Sequence, residues 1–87
     1  MYLEDKILNG GEITKQGEFK GVSAFYLMLV PKSETAASVA ILNVKLSKGI
    51  DKVDFPFATG TWNPVVVNSV DVKEEDLTNY RIFYGIE

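Results

Sequence analysis

"VSAFYLMLV", residues 22–30, is the stretch whose reading decides the fold. In an extended chain successive side chains point to opposite faces. Val22, Ala24, Tyr26, Met28 and Val30 therefore share one face, and Phe25, Leu27 and Leu29 share the other. A strand half buried at a surface is apolar on one face only; this one is apolar on both. The unbroken apolar run, Ala24 to Pro31, falls well short of the roughly 20 residues that a membrane-spanning helix requires. The stretch reads as a strand covered on both sides.

The same pattern recurs further along. From Val65 to Val72, Val66, Val70 and Val72 oppose Val65 and Val67, and the last segment sets Tyr80, Ile82, Tyr84 and Ile86 against Phe83. Turn formers punctuate these segments at Asn9-Gly10-Gly11, Gln16-Gly17, Pro31-Lys32-Ser33, Lys48-Gly49, Thr59-Gly60 and Asn63-Pro64. Many short β-rich segments separated by such signals predict an all-β domain, a small antiparallel β-sandwich or partly open barrel of about six to eight short strands. The strands are expected near residues 7–8, 11–15, 21–30, 38–46, 52–55, 65–72 and 80–86. "LNGGEI", residues 8–13, is expected to turn a hairpin, because Asn-Gly and Gly-Gly tolerate the positive φ of hairpin turns. A short helical turn is open near residues 34–37, and residues 73–79 are expected to form a loop with one helical turn. No linker or internal repeat divides the 87 residues, so they read as one domain.

A domain of this size buries only roughly 60 to 65% of the surface its unfolded chain exposes. Intrinsic stability is thin, and disulfides, metals or partners commonly supplement it. The chain contains no Cys and no His, which removes disulfides, thiolate metal sites, the commonest metal ligand and the usual base near neutral pH. Two coverings of the surplus apolar faces remain open. Either the chain's own N-terminal hairpin or a loop lies over the second face, or that face meets another copy or another protein.

Formal net charge is −3 with a pI near 4.9, and the basic residues are scattered. Nucleic-acid binders carry a basic stripe or patch, so that class is disfavoured. The N-terminus "MYLEDKILNGGE" lacks the basic region and long apolar core of a signal peptide. No membrane association is expected.

Catalytic patterns are sparse. No Gly-x-Ser-x-Gly, Ser-x-x-Lys or phosphate-cradling glycine loop occurs. Asp51 and Asp54 have a spacing that suits turn hydrogen bonds better than a pair of catalytic carboxylates. Glu74, Glu75 and Asp76 lack the alternating ligand spacing of a calcium loop and read as a solvated segment. No enzyme, cofactor or metal is expected. Aromatic side chains offer contact surface instead, and Trp62, the only Trp, sits between Gly60 and Pro64 in a turn. Tyr26, Met28, Trp62, Tyr80 and Tyr84 are the candidate contact residues, with Arg81 as a charged partner.

The second half of the chain carries a resemblance. Phe55-Pro56-Phe57-Ala58-Thr59-Gly60-Thr61, then Trp62 to Pro64, Asn68-Ser69-Val70 and Tyr80 to Tyr84 follow in the order found in small bacteriophage virion β-domain proteins of the head-decoration and head-fibre type. The upstream "GEFKGVSAFYLMLVPKSETAASV", residues 17–39, is similar to the opening of the same proteins. The resemblance implies a non-enzymatic structural component of a tailed-phage particle, made in the host cytoplasm and located in the virion. Its partners would be capsid or other virion proteins, and it would be a homo-oligomer or lattice-bound. A carbohydrate- or ligand-binding β-module using the aromatic residues is the alternative.

Overall fold

The computed structural model describes residues 7, 9–46 and 52–87. Its elements are β1 (Asn9–Ile13), β2 (Gly17–Pro31), β3 (Val39–Leu46), β4 (Val53–Ala58), β5 (Val67–Val72), α1 (Glu74–Asn79) and β6 (Tyr80–Ile86). The strands form one antiparallel sheet in the order β1-β6-β2-β5-β3-β4. The small all-β fold expected from the alternation is the one observed, with six strands.

β2 decides how this sheet curls. Its first part, Gly17 to Lys20, pairs with β5, whereas Tyr26 to Pro31 pair with β6. Between Lys20 and Phe25 the register against β5 jumps, because Lys20 faces Ser69 and Phe25 already faces Val67. Bulges bend a strand and sharpen its twist. The chain uses this one to carry β2 from one half of the sheet, with β5, β3 and β4, into the other, with β6 and β1. Both halves then wrap the row Phe25, Leu27 and Leu29, all fully buried. Ala40, Leu42 and Val44 of β3, Phe57 of β4, Val67, Val70 and Val72 of β5, and Tyr80 and Ile82 of β6 complete the core with Ile13.

Two expectations need correction. Asn9-Gly10-Gly11 is not a hairpin turn: it is strand, with Gly10 opposite Gly85 and Gly11 opposite Tyr84. A Cβ on Gly10 would collide with the Tyr84 carbonyl oxygen, so the glycine serves a close approach of two backbones. In β5, the alternation is broken by a bulge, since Lys45 faces Ser69 while Leu46 faces Val67. Asn68 is the extra residue, and it turns Val67 to the same interior as Val70 and Val72. Residues 73–79 hold a short helix, whose first turn contains Glu74, Glu75 and Asp76. Acids there complement the unpaired amides of a helix N-terminus, and the Asp76 carboxylate accepts the Lys73 amide at 3.0 Å.

β4 runs on through Pro56 to Ala58, further than the residue pattern suggested. Proline is tolerated on an edge strand, where its missing N–H faces away from the sheet, and β4 is the last strand in the order. The helical turn expected near residues 34–37 is a turn over residues 33–36, closed by the Ala36 amide on the Ser33 carbonyl. Leu8, Asp51 and the side chain of Val22 lie outside the described residues. No described helix is long and apolar enough to cross a membrane.

The curl predicts a contrast between two apolar positions. Phe25→Ala opens a cavity at the centre of both halves and is expected to lower unfolding free energy by about 3–5 kcal/mol in a urea titration. Ile41→Ala, on the outside of β3, should change it by less than about 1 kcal/mol.

Candidate interaction surfaces

The segment after β4 closes the curl and carries Trp62. Thr59 bridges Leu29 in parallel and Trp62 bridges Met28 antiparallel, so the end of β4 reaches the free side of β2. The Gly60 amide donates to the Leu29 carbonyl at 2.7 Å and the Asn63 amide to the Leu27 carbonyl at 3.0 Å. Gly60 makes the bend at φ 81°, a conformation that side chains disfavour.

Asn63 is the fastener, although no sequence motif marked it. Its side chain is nearly buried. The Oδ1 accepts the Ala58 amide at 2.9 Å, and the Nδ2 donates to the carbonyls of Ala58 at 3.0 Å and Leu27 at 3.2 Å. One amide side chain thus ties β4 to β2. A buried amide with both ends occupied is what this position requires, since an orphaned backbone group there would cost about 1–3 kcal/mol.

Trp62, held by this clip, packs against Gly85 of β6: the ring carbon Cη2 lies 3.0 Å from where a Cβ on Gly85 would stand, and Ile7 crowds the same point. Ile7, Asn9, Gly10, Gly11, Met28, Trp62, Phe83 and Tyr84 line an open trough of about 400 Å³ on the outer side of β1, β6 and β2. Tyr26, Met28 and Val30 alternate on that outer side and are half-buried. The second face of "VSAFYLMLV" is thus partly roofed by the chain's own loop, one of the two coverings left open by the sequence.

Of the six candidate contact residues, the structure gathers four on this outer side. Tyr26 donates its hydroxyl to the Glu87 carboxylate at 3.0 Å, which raises the phenol pKa above its ordinary value. Met28 and Trp62 line the trough. Arg81 stacks its guanidinium 5.1 Å above the Phe83 ring and pairs with Glu12 at 3.0 Å. That hydrogen bond holds the Glu12 carboxyl below the ordinary value. Tyr80 points the other way, and Tyr84, although it borders the trough, turns its ring toward Phe19 and Phe25. Tyr80 is 6% exposed and donates to the Ala37 carbonyl at 2.8 Å, so it is a core residue and not a contact residue. Tyr84 packs its ring 4.7 Å from Phe19 and 6.1 Å from Phe25. Parity along β6 already set both tyrosines with Ile82.

A second surface escaped the sequence reading. Among the described residues, the large hydrophobic side chains left exposed are Val39 at 51% and Ile41 at 66%. They alternate with the buried Ala40 and Leu42 on β3, and their cross-strand partners on β4 are Ala58 and Pro56. All four lie on the outside of the edge pair. The signal was present in "VAILNV", residues 39–44, another strand apolar on both faces. Next along the same face, Asn43 donates to the Asp54 carboxylate at 3.1 Å.

Further along that side, Lys52 reaches Glu18 at 2.7 Å and Asp71 at 3.1 Å. Its hydrogen bond to Glu18, more than to Asp71, raises the ammonium pKa, and the same bond lowers that of Glu18. No group of three or more acidic residues that would hold a metal ion occurs among the described residues. Compared with known proteins, the chain matches no family model, no curated protein and no solved structure.

Two outcomes are expected. Asn63→Ala should lower stability by about 2–4 kcal/mol and move the Trp62 fluorescence to longer wavelength, as the clip opens and the indole is wetted. Glu12 and Glu18 have depressed folded-state values, so their contribution is present above the unfolded carboxylate pKa of about 4.3 and lost as pH falls through the folded values. Lys52→Met should therefore flatten the decline of melting temperature with acid below that pH.

Proposed function

We propose that the protein is a non-enzymatic structural component of a tailed-phage particle, a capsid-auxiliary or head-fibre protein that works through protein–protein contacts. The observation that carries this reading is the exposed apolar corner of Val39, Ile41, Pro56 and Ala58 on the outer side of β3 and β4. Contiguous apolar surface on a small domain marks a place where another macromolecule sits. Four side chains make a small contact whose single-site affinity is weak. A particle repeats its subunits, and many weak contacts made together hold firmly. The order of features from Phe55 to Tyr84, which resembles virion β-domain proteins, points to the same class.

The trough beside Trp62 favours a second reading, a ligand-binding module in which Trp62 and Phe83 flank a sugar ring. Its lining is aromatic and open, as stacking on a pyranose requires.

Mass spectrometry of gradient-purified particles from the phage encoding the chain should detect it in near-stoichiometric amount. Ile41→Asp should leave the protein folded and strip it from the particles. Particles that lack the wild-type protein refute the structural reading, and quenching of Trp62 by an oligosaccharide would put the second in its place.

A further inference from the structure

Asn9 is the one asparagine of the five in the chain that is followed by glycine, and the fold holds that pair in a reactive posture. β1 is the end strand of the sheet and pairs only with β6. Opposed residues in an antiparallel pair alternate between exchanging hydrogen bonds across the ladder and turning them outward. A Cβ on Gly10 would strike the Tyr84 carbonyl oxygen, so that carbonyl points at β1, and Gly11, opposite Tyr84, makes the ladder bonds. Gly10 therefore turns its N–H to the open side of the strand. There it donates to the Oδ1 of Asn9 at 2.8 Å, and both residues are exposed. The carboxamide of Asn9 is folded back over the next residue's nitrogen, and a glycine offers no side chain to keep the two apart.

We propose that Asn9 is a self-modification site, converting to aspartate and isoaspartate through a succinimide. Water or hydroxide removes the Gly10 amide proton, and the nitrogen attacks Cγ of Asn9. The new N–Cγ bond closes a five-membered ring as the Cγ–Nδ2 bond breaks, and Nδ2 takes up a proton and leaves as ammonia. Water then opens the ring. Attack at Cγ restores the original main chain and gives aspartate. Attack at the Asn9 carbonyl carbon breaks its bond to the Gly10 nitrogen and leaves the chain running through Cγ, as isoaspartate. One water enters, one ammonia leaves, and nothing is oxidised or reduced.

Either product places a carboxylate on the rim of the trough, which Asn9 and Gly10 line. Isoaspartate also adds a carbon to the main chain. The pairing of Asn9 with Ile86 then loses its register, and Ile7, two residues upstream, is drawn from the point on Gly85 that it shares with Trp62. This chemistry needs no partner and is independent of the function proposed above; the molecule carries it out on itself with time.

Full-length protein incubated at mildly alkaline pH, digested in acid and read by peptide mass spectrometry should show the amide-to-acid mass gain at Asn9 before Asn43, Asn63, Asn68 or Asn79. The rate should rise with pH, because the nucleophile is the deprotonated nitrogen. The native chain should convert within about tenfold of the rate of a free peptide of residues 7–12, since opening a strand terminus costs little free energy. Asn9→Gln should abolish the modification, because its side chain would have to close a six-membered ring. Trp62 emission should move to longer wavelength as isoaspartate accumulates and stay in place in Asn9→Asp, which carries the charge on an unlengthened chain. Conversion of any other asparagine first overturns the proposal. So does a native rate more than about tenfold below that of the peptide, the mark of a ladder that locks the amide. A Trp62 emission that stays put while isoaspartate accumulates refutes the coupling through Ile7 alone and leaves the modification standing.

Discussion

β2 has to belong to both halves of the sheet at once, and the other strands take their places from that constraint. A flat six-stranded sheet would leave Phe25, Leu27 and Leu29 facing water on one side. The register jump between Lys20 and Phe25 bends the strand so that both halves of the sheet close over that row. Curling brings the end of β4 around to β2, and there Asn63 converts proximity into a bonded seam. Placing Trp62 is a by-product of the seam. The chain's single indole lies over a glycine on the outside of the sheet because the loop carrying it is pinned from below.

Much of this was legible in the residues. Alternation placed Phe25, Leu27 and Leu29 together and put Tyr80 with Ile82, and both rows are interior. Turn punctuation located Gly60 and separated β5 from what precedes it. The misread parts share one physical cause, a dependence on cross-strand partners that a single strand's pattern does not contain. Asn9-Gly10-Gly11 has the composition of a turn, yet its glycines answer to the backbone of β6 lying against them. Val67 lies on the face opposite to its parity because Asn68 is squeezed out by the register of β3. Asn63 looked like turn vocabulary before Pro64, and only the proximity of Leu27 makes its amide structural.

The surplus apolar surface was partly legible in the same sense. A chain with strands apolar on both faces has more apolar surface than one small core holds, and the residues revealed that excess without its address. The excess beside Met28 is partly roofed by Trp62 and Ile7. What stays uncovered is on β3, where β4 is the last strand and its outer side has no further layer above it. Tyr26, Met28, Trp62 and Arg81 were named from residue chemistry and lie on the outer side of the sheet; the exposure of Val39 and Ile41 follows from topology, which no motif encodes.

Pro56 gives the exposed corner a particular temperament. A greasy edge strand with a full set of outward amides would recruit any extended peptide indiscriminately, because backbone pairing does not read side chains. With a tertiary amide nitrogen that carries no hydrogen in the middle of β4, that zipper is interrupted. Whatever settles on Val39 and Ile41 must match their shape instead, so affinity at this corner can be raised or lowered one side chain at a time, and stickiness becomes selectivity.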